Sequence, residues 1–214
     1  MTTAFEDKNR AFFGRWAKKY DRLHTRLFFE PLYRHIITLI KQIRTTGPSS
    51  LHTPIKFLDV ACGTGEILFR LAREFTNPQF VGLDLTPEMI AKAKNKTNNL
   101  PNVSYREGSA SSIPFADETF DIAACSEAFH HFPEPAMALR EIYRVLKPGG
   151  IFLLADIAFN NFILKYLATT LLKPLEHAHA YYSRHELVEL LKTSGLTIIQ
   201  AKRCWWNNSI VGKK

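Results

Sequence analysis

The sequence predicts an α/β fold built on a mostly parallel sheet of seven strands, closed by an antiparallel strand. From residue 55 onward, short apolar segments typical of strands alternate with segments that have the period of helices. The first of these strands runs into a turn of small residues, which is typical of a strand that ends at a ligand. The last two strand-like segments, 196–203 and 205–211, follow each other without a helix between them.

Length and composition describe a single domain with ordinary chemistry. The 214 residues contain 46% apolar and 22% charged residues. The net charge of +8 allows an anionic partner, but the charges are spread along the chain, which favours a solvated basic surface. Three widely spaced cysteines indicate neither a disulfide framework nor a zinc site. No signal peptide or membrane-spanning segment is predicted, so a reducing cytoplasm is the expected location.

Residues 1–45 predict two amphipathic helices ahead of the sheet. Aromatic residues recur at a spacing of four from Phe12 to Tyr20 in the first helix, and the second is predicted to begin near Pro31. The aromatic side chains allow two interpretations, since they either pack on the domain or cover a substrate as a lid. Residues 45–54 are rich in turn formers and are predicted to connect the helices to the sheet.

The stretch from Phe57 to Ile67, FLDVACGTGEI, is the centre of the functional interpretation. It comprises an apolar strand, the small-residue turn Ala61–Gly65 and the first residues of a helix. A backbone without bulky side chains lets a ligand approach, and a helix N-terminus adds free N–H groups and partial positive charge. The turn is therefore predicted to hold a polar small molecule at the carboxyl edge of the sheet.

Two classes of cofactor fit such a turn. A dinucleotide fingerprint requires a third glycine, and Leu68 stands in its place. Asp59 and Glu66 put negative charge on both sides of the turn, which disfavours a pyrophosphate and suits a ligand with a sulfonium and an ammonium group. The stretch resembles motif I of the class I S-adenosylmethionine (SAM)-dependent methyltransferases, with Ala61 in place of the first glycine.

Asp84 ends the second predicted strand, about 20 residues after Gly65. An acidic residue at this position is suited to a ribose hydroxyl pair, because a carboxylate accepts both protons. The alternative is a turn residue that caps the next helix, but Thr86 already offers a cap, so we favour the ribose role. The string VGLDLTPEMI, which includes Leu85, resembles motif II of the same family.

The resemblance also implies which later residues meet the cofactor. Ser109 stands where relatives often carry Asp or Asn and would hydrogen-bond the adenine amino group, and Ala110 would pack on the ring. Ser126, at the end of the fourth strand, is a cofactor-side residue by the same resemblance. The full set of predicted cofactor residues is Asp59, Ala61, Gly63, Thr64, Gly65, Asp84, Leu85, Ser109, Ala110 and Ser126.

The catalytic chemistry is predicted less specifically. The adjacent His130 and His131 allow a metal interpretation, but neighbouring side chains point apart and no further ligand has a metal-like spacing, so no metal site is predicted. No catalytic triad is expected, because the methyl group of a sulfonium is already activated. An oxygen or carbon acceptor would need a base, for which the candidates are His131, Tyr20 and Tyr181.

Residues 158–182 are the least regular part of the predicted domain, and in the family this insert shapes the acceptor pocket. Its apolar and aromatic side chains, together with Lys165 and Lys173, favour a lipophilic acceptor or a peripheral membrane contact. Packing of the insert on the core is an equal alternative. A capping box at Ser183 predicts a helix that ends at Gly195 and leads into the closing strands.

Three motifs, at 57–67, 81–90 and 145–150, occur in the order of class I methyltransferases. The strings DVACGTGE, SSIPFADETFD and YRVLKPGG resemble most the ubiquinone/menaquinone-biosynthesis methyltransferases and their small-molecule relatives. The resemblance implies a Rossmann-like sheet in a single domain. Its predicted parts are a helical lid or extension at 1–45, a SAM-binding core at 55–157, an acceptor-pocket insert at 158–182 and a closing helix and hairpin at 183–214.

The implied function is methyl transfer from SAM to a small-molecule acceptor, of which a quinone- or lipid-like compound is the favoured type. An RNA or protein methyltransferase ranks lower, because the chain has neither an aromatic–basic cluster nor an amino-group motif, so nucleic acid is an unlikely partner. A SAM-binding regulator without turnover is suggested only by Ser109. Leu68 and the terminal strand pair argue against a nucleotide oxidoreductase.

Overall fold

A computed structural model of the protein describes residues 3–21, 23–46, 55–204 and 206–214. Two helices precede the sheet, α1 (Ala4–Tyr20) and α2 (Leu23–Thr46). Most of the predicted connector, residues 47–54, lies outside the described residues, as does Trp205, which was expected to begin the last strand.

The strands of the described chain form one sheet with the order β3-β2-β1-β4-β5-β7-β6. They are β1 (Lys56–Val60), β2 (Gln79–Asp84), β3 (Val103–Glu107), β4 (Phe120–Ser126), β5 (Leu146–Ile157), β6 (Thr197–Cys204) and β7 (Asn207–Lys213). Only β7 runs antiparallel to its neighbours β5 and β6. This seven-stranded sheet with an antiparallel closing strand confirms the predicted fold class.

Helices cover both faces of this sheet. They are α3 (Glu66–Glu74), α4 (Pro87–Lys96), α5 (Pro135–Val145), α6 (Phe162–Leu167), α7 (Lys173–Glu176) and α8 (Arg184–Thr193). A 3-10 turn at Phe129–His131 follows β4, and a π-helical turn at Ala168–Leu172 joins α6 to α7. From residue 55 onward the described strands and helices alternate as the sequence predicted, except that residues 108–119 connect β3 to β4 without a helix.

The core forms two layers because alternate side chains of each strand point to opposite faces of the sheet. In β1, Leu58 packs in the layer under α5 and α8, whereas Phe57 packs in the layer under α2 and α3. Burying one such side chain contributes about 1.5–3 kcal/mol. Ile36 and Ile40 of α2 are also fully buried in the second layer, so α2 belongs to the folded core.

Two predicted boundaries were wrong. The second helix begins at Leu23 and not near Pro31, which lies inside it. A proline inside a helix costs about 3 kcal/mol, and burial of the adjoining Leu32 and Ile36 offsets that cost. Strand β5 begins at Leu146 and not after the KPGG turn, because Leu146 already pairs with Phe120 and the register shift that follows accommodates the turn.

The sheet topology fixes where a ligand can lie. The chain moves from β1 outward to β2 and β3 on one side, and then to β4 and β5 on the other. The strand order therefore reverses between β1 and β4, and a crevice forms outside the carboxyl ends of these strands. The predicted glycine turn and Ser126 both lie at this edge.

Candidate active site

A cavity, open in part to solvent, lies at the carboxyl ends of β1, β2 and β4. The glycine turn, the segments that follow β2, β3 and β4, and helices α1 and α2 form its walls. Phe13, Phe29, Met89 and Phe132 make much of the lining apolar. A large, mostly apolar cleft with a few polar groups is the usual form of a small-molecule site.

Most of the residues predicted to meet the cofactor line this cavity. They are Ala61, Gly63, Thr64, Asp84, Leu85, Ser109, Ala110 and Ser126. Asp59, in β1, and Gly65, the last residue of the turn, are buried and are not among the lining residues. The motif therefore combines residues that face the cavity with residues that support it from behind.

The two glycines of the turn serve different purposes. Gly63 has a φ of +54°, and a Cβ atom built on it would meet nothing within 4 Å, so its backbone is open to the cavity. Gly65 has a φ of +71°, and a Cβ atom there would lie 2.5 Å from the Tyr105 hydroxyl oxygen. Gly65 thus allows the turn to pack on β3, and close approach of a ligand explains only Gly63.

Asp84 holds the turn in place while its side chain reaches the cavity. Its Oδ2 atom accepts a hydrogen bond from the Gly63 N–H at 2.8 Å, and its Oδ1 atom accepts one from the Thr86 N–H at 2.8 Å. Burial raises the pKa of Asp84, and these backbone donors oppose the shift. The Thr86 side chain makes no capping bond to α4, contrary to the expectation that it would cap that helix.

Helix α1 covers the cavity and brings a carboxylate that the sequence did not lead us to expect. Glu6 is 7% exposed, and its Oε1 atom accepts a short hydrogen bond from the Ser109 hydroxyl. Its Oε2 atom accepts the Thr3 N–H in a capping box. Glu6 therefore places a carboxylate beside Ser109 although the two residues are 103 positions apart in the chain.

The aromatic side chains of α1 do not form the single inward face that their spacing predicted. Phe13 and Tyr20 line the cavity, whereas Trp16 is 48% exposed and stacks on Phe12. Asn9 attaches the middle of the helix to the site, because its Nδ2 atom donates to the His131 carbonyl oxygen at 3.2 Å.

A network of charges attaches the end of α1 to the glycine turn. The Asp21 Oδ1 atom accepts the Thr64 hydroxyl at 2.7 Å and the Lys96 ammonium at 3.0 Å. Lys96 also contacts Glu66 at 2.9 Å, and Arg70 joins Glu66 at 2.8 Å. Thr64 therefore lines the cavity with its hydroxyl already engaged, and the network joins α1, α3 and α4.

The segment after β4 contains a buried carboxyl group that sequence reasoning missed. Glu127 lines the cavity in a left-handed conformation with a φ of +50°. Its Oε1 atom is buried and has no hydrogen-bond partner. Burial, followed by the nearby Asp156 carboxylate, raises the pKa of Glu127 above its usual value. An unusual φ in a non-glycine residue that follows a central strand could be recognised only from the backbone.

The adjacent His130 and His131 have different surroundings. His130 is fully buried, and its Nδ1 atom lies 2.6 Å from Asp156 Oδ1. Burial alone would lower the pKa of His130, but the Asp156 carboxylate raises it. His131 instead lines the cavity. In the described part of the chain, no group of three or more His, Cys, Asp or Glu side chains could hold a metal ion.

Of the three predicted bases, His131 has the most suitable geometry. Its Nδ1 atom lies 3.1 Å from the His177 carbonyl oxygen, so an Nδ1–H tautomer leaves the Nε2 lone pair available. Burial lowers its pKa well below the usual value, which keeps the ring neutral. Tyr20 also lines the cavity, but burial raises its pKa far enough to keep the phenol protonated. Tyr181 is buried, donates to Glu176 at 2.7 Å and is not among the cavity-lining residues.

The residues present fit a cofactor that joins a nucleoside to a cationic amino-acid part. The open backbone at Gly63 provides room for close approach. Asp84 and Glu6 contribute carboxylates to the wall, which suits a cation and disfavours a pyrophosphate, whereas the Glu66 carboxylate is already paired with Arg70 and Lys96. The strand order, with its antiparallel β7, and this cavity at the β1–β4 edge are those of the class I methyltransferase fold.

Comparison with known proteins agrees with this class. Residues 58–154 match the family model described as "Methyltransferase domain". The demethylmenaquinone methyltransferase of Staphylococcus aureus is 33% identical over 136 residues, which cover 63% of this chain and 54% of that protein. The chain spans about half the length of the curated relatives it matches.

Solved structures share the fold. A SAM-dependent methyltransferase from Aquifex aeolicus superposes with a TM-score of 0.71 at 22% identity, over 94% of this chain and 97% of that one. The [4+2]-cyclase SpnF superposes with a TM-score of 0.70 at 21% identity, over 84% and 80%. The chain thus has the fold of class I methyltransferases, as its motifs predicted, and residues 58–154 match a methyltransferase domain.

The buried carboxyl group of Asp59 is expected to make the stability of the fold depend on pH. Burial, with a further contribution from Asp84, raises the pKa of Asp59 from 3.8 to about 8. The unfolded chain releases this proton near pH 4 whereas the folded chain retains it, so the folded state loses stability as the pH rises from 4 to 8. We expect Asp59→Asn to remove this loss, which amounts to about 1.4 kcal/mol per pKa unit at most.

Thermal unfolding between pH 4 and 9 measures the effect. The melting temperature of Asp59→Asn should exceed that of the unchanged protein by a margin that grows up to about pH 8 and is then constant. Asp117→Asn, at an exposed position, is the control, and its melting temperature should equal that of the unchanged protein at every pH. A margin independent of pH would show that Asp59 is ionised in the folded protein.

Proposed function

We propose that the protein transfers a methyl group from SAM to a small lipophilic acceptor of the quinone or lipid type. The observation that carries the proposal is the cavity itself, which extends from the glycine turn to His131 beneath α1 and has an apolar lining. When bound, SAM supplies a methyl group on a sulfonium, already activated for in-line displacement. The protein then has to hold donor and acceptor in line and exclude water.

Several residues would hold the cofactor. Asp84 would accept the ribose hydroxyls with the lone pairs that its backbone donors leave free. Ser109 and Glu6 would accept hydrogen bonds from the adenine amino group, and Ala110 would contact the adenine ring. Because Glu6 provides the carboxylate that Ser109 lacks, the serine no longer favours a regulator without turnover.

The acceptor would occupy the part of the cavity near the end of β4. Phe13 and Phe132 make that part apolar, which suits a lipophilic ring or chain. His131 Nε2 would take a proton from an oxygen or carbon acceptor, because the neutral ring is held by its bond to the His177 carbonyl. The name of the Staphylococcus aureus relative, a demethylmenaquinone methyltransferase, supports an acceptor of this type.

The predicted parts of the domain acquire roles in this proposal. Helix α1 alone would act as the lid, since it supplies Glu6, Phe13 and Tyr20 to the cavity, whereas most of the described face of α2 lies in the core. Residues 55–157 would hold SAM, and the insert at 158–182 would shape the acceptor entrance. Residues 183–214 would complete the sheet and its cover.

A transfer assay with methyl-labelled SAM and demethylated quinones in detergent tests the proposal. We expect label in the quinone fraction, and His131→Asn should lower kcat about 100-fold while SAH (S-adenosylhomocysteine) affinity stays unchanged. His185→Asn, on the exposed face of α8, is the matched control. No labelled product with quinones or with lipid extracts would contradict the proposed acceptor class.

The role of Glu6 has its own test. The unchanged protein should prefer SAH to S-inosylhomocysteine, which carries an oxygen in place of the adenine amino group. Glu6→Ala should reduce this preference about tenfold or more, because a hydrogen bond to a charged group contributes about 1.5–3 kcal/mol. Glu88→Ala, on α4, serves as the control. A preference that survives in Glu6→Ala would assign the contact to Ser109 alone.

A further inference from the structure

Residues 162–175 form the most unusual surface of the described chain. They comprise α6, the π-helical turn and the first residues of α7, and are here called the apolar segment. Of the eleven exposed large hydrophobic residues in the described chain, eight belong to it: Phe162, Ile163, Leu164, Tyr166, Leu167, Leu171, Leu172 and Leu175. The exposed fraction reaches 83% at Phe162 and 72% at Leu175. A patch of this kind marks an interaction site.

The arrangement of these side chains suits insertion into a lipid layer better than binding to a groove on another protein. Phe162, Ile163 and Leu164 are consecutive, so they point in different directions around the helix and all remain exposed. Ala168 is the buried apolar residue that attaches the segment to the domain, through a small cluster with Ala178 and Tyr181. A narrow stripe, as helix-in-groove recognition requires, is not what this segment presents.

The charged residues of the apolar segment indicate which kind of lipid layer it would enter. The apolar segment contains two lysines and no acidic residue, within a protein of net charge +8. Lys165 pairs with Glu186 of α8 at 2.5 Å, so Lys173 is the lysine of the segment that can meet a lipid headgroup. Lysines beside exposed apolar side chains are typical of helices that lie in the interface of an anionic bilayer. Within the described residues, no helix is both long enough and apolar enough to cross a membrane.

The apolar segment leads directly to the cavity. After α7, His177 packs against Phe12 of α1 with 4.5 Å between ring centroids, and His179 packs against Phe5 at 5.2 Å. The His177 carbonyl also bonds the ring of His131, at the cavity wall. The surface thus ends where the covering helix meets the proposed base.

We propose that residues 162–175 dock the protein on an anionic lipid bilayer. The apolar side chains enter the interface, and Lys173 faces the lipid headgroups. A lipophilic acceptor dissolved in the bilayer then reaches the cavity at the junction of α1 and His177 without crossing water. This last step rests on the proposed function, whereas docking on the bilayer does not.

Vesicle flotation of the full chain tests the docking. One set of vesicles contains phosphatidylcholine alone, and the other contains phosphatidylcholine mixed with phosphatidylglycerol. We expect the protein to float with the anionic vesicles, with a bound fraction that falls as salt is added. If the protein floats with neither set of vesicles, the proposal is wrong, whatever result the variants give.

Variants locate the contact. Ile163→Ser/Leu171→Ser/Leu175→Ser changes three exposed positions and should lower binding to anionic vesicles at least tenfold. Ile199→Ser, at a residue that is 57% exposed on β6, is the matched control and should bind normally. Normal flotation of the triple variant would overturn the assignment of the surface. SAH titration checks its fold, and Leu175→Ser alone, with a smaller expected loss, takes its place if that titration fails.

The outcomes also separate the docking from the proposed reaction. Light scattering of the free protein that shows a dimer, lost in the triple variant, together with no flotation, would assign the surface to a second copy of the chain. Methyl transfer to a detergent-solubilised quinone without flotation would refute only the docking. Flotation without transfer to any quinone or lipid would refute only the proposed function.

Discussion

Asp84→Ala is expected to weaken SAH binding ten- to a hundred-fold. The substitution removes the proposed ribose acceptor and also frees the N–H groups of Gly63 and Thr86, which the carboxylate holds at 2.8 Å. A hydrogen bond to a charged group contributes about 1.5–3 kcal/mol, and each 1.4 kcal/mol changes affinity tenfold. Calorimetric titration with SAH measures the loss directly.

Two further variants interpret the result. Asp84→Asn retains one acceptor oxygen and should show an intermediate loss, because it can keep one of the two backbone bonds. Asp117→Ala removes an exposed carboxylate that pairs with Arg144 and should leave SAH affinity unchanged. If Asp84→Ala binds SAH with normal affinity, Asp84 only braces the turn and the ribose assignment is wrong.

Gly65→Ala is expected to lower the free energy of unfolding by about 2–5 kcal/mol. A left-handed φ of +71° strains any residue with a Cβ atom, and the new atom would lie 2.5 Å from the Tyr105 hydroxyl oxygen. Adding Tyr105→Phe removes that oxygen and should recover part of the loss. Chemical denaturation of the single and double variants measures both effects.

Gly63→Ala provides the contrast within the same turn. Its φ of +54° imposes similar strain, but no atom lies within 4 Å of the added methyl group, so the loss of stability should be smaller. The methyl group would instead occupy the space through which a ligand approaches, so the loss of SAH affinity should be the larger of the two. The reverse pattern would mean that Gly65, and not Gly63, faces the ligand.

The fold was predictable because its signals are local. The small-residue turn at 61–65, the acidic end of β2 at Asp84 and the absence of a helix between β6 and β7 each occupy a few consecutive residues. The family could be inferred from the same stretches. The start of α2 could not, because burial of Leu32 and Ile36 against the sheet outweighs the usual effect of Pro31.

The site was only partly predictable because several of its contacts join distant parts of the chain. Glu6 meets Ser109 across more than a hundred residues, and no local pattern announces that pair. A motif also does not say which of its members face the cavity, and Asp59 and Gly65 are buried whereas most of the other predicted cofactor residues line it. Among the three candidate bases, His131 is favoured because it lines the cavity and is held by the His177 carbonyl, a contact that the sequence does not reveal.

Calorimetric titration of the full chain with SAH, with NAD as the control ligand, tests the central claim most directly. We expect one site with micromolar affinity for SAH and no binding of NAD, because Leu68 replaces the third glycine of a dinucleotide motif and carboxylates line the cavity. Binding of NAD in preference to SAH, or of neither ligand, would contradict it.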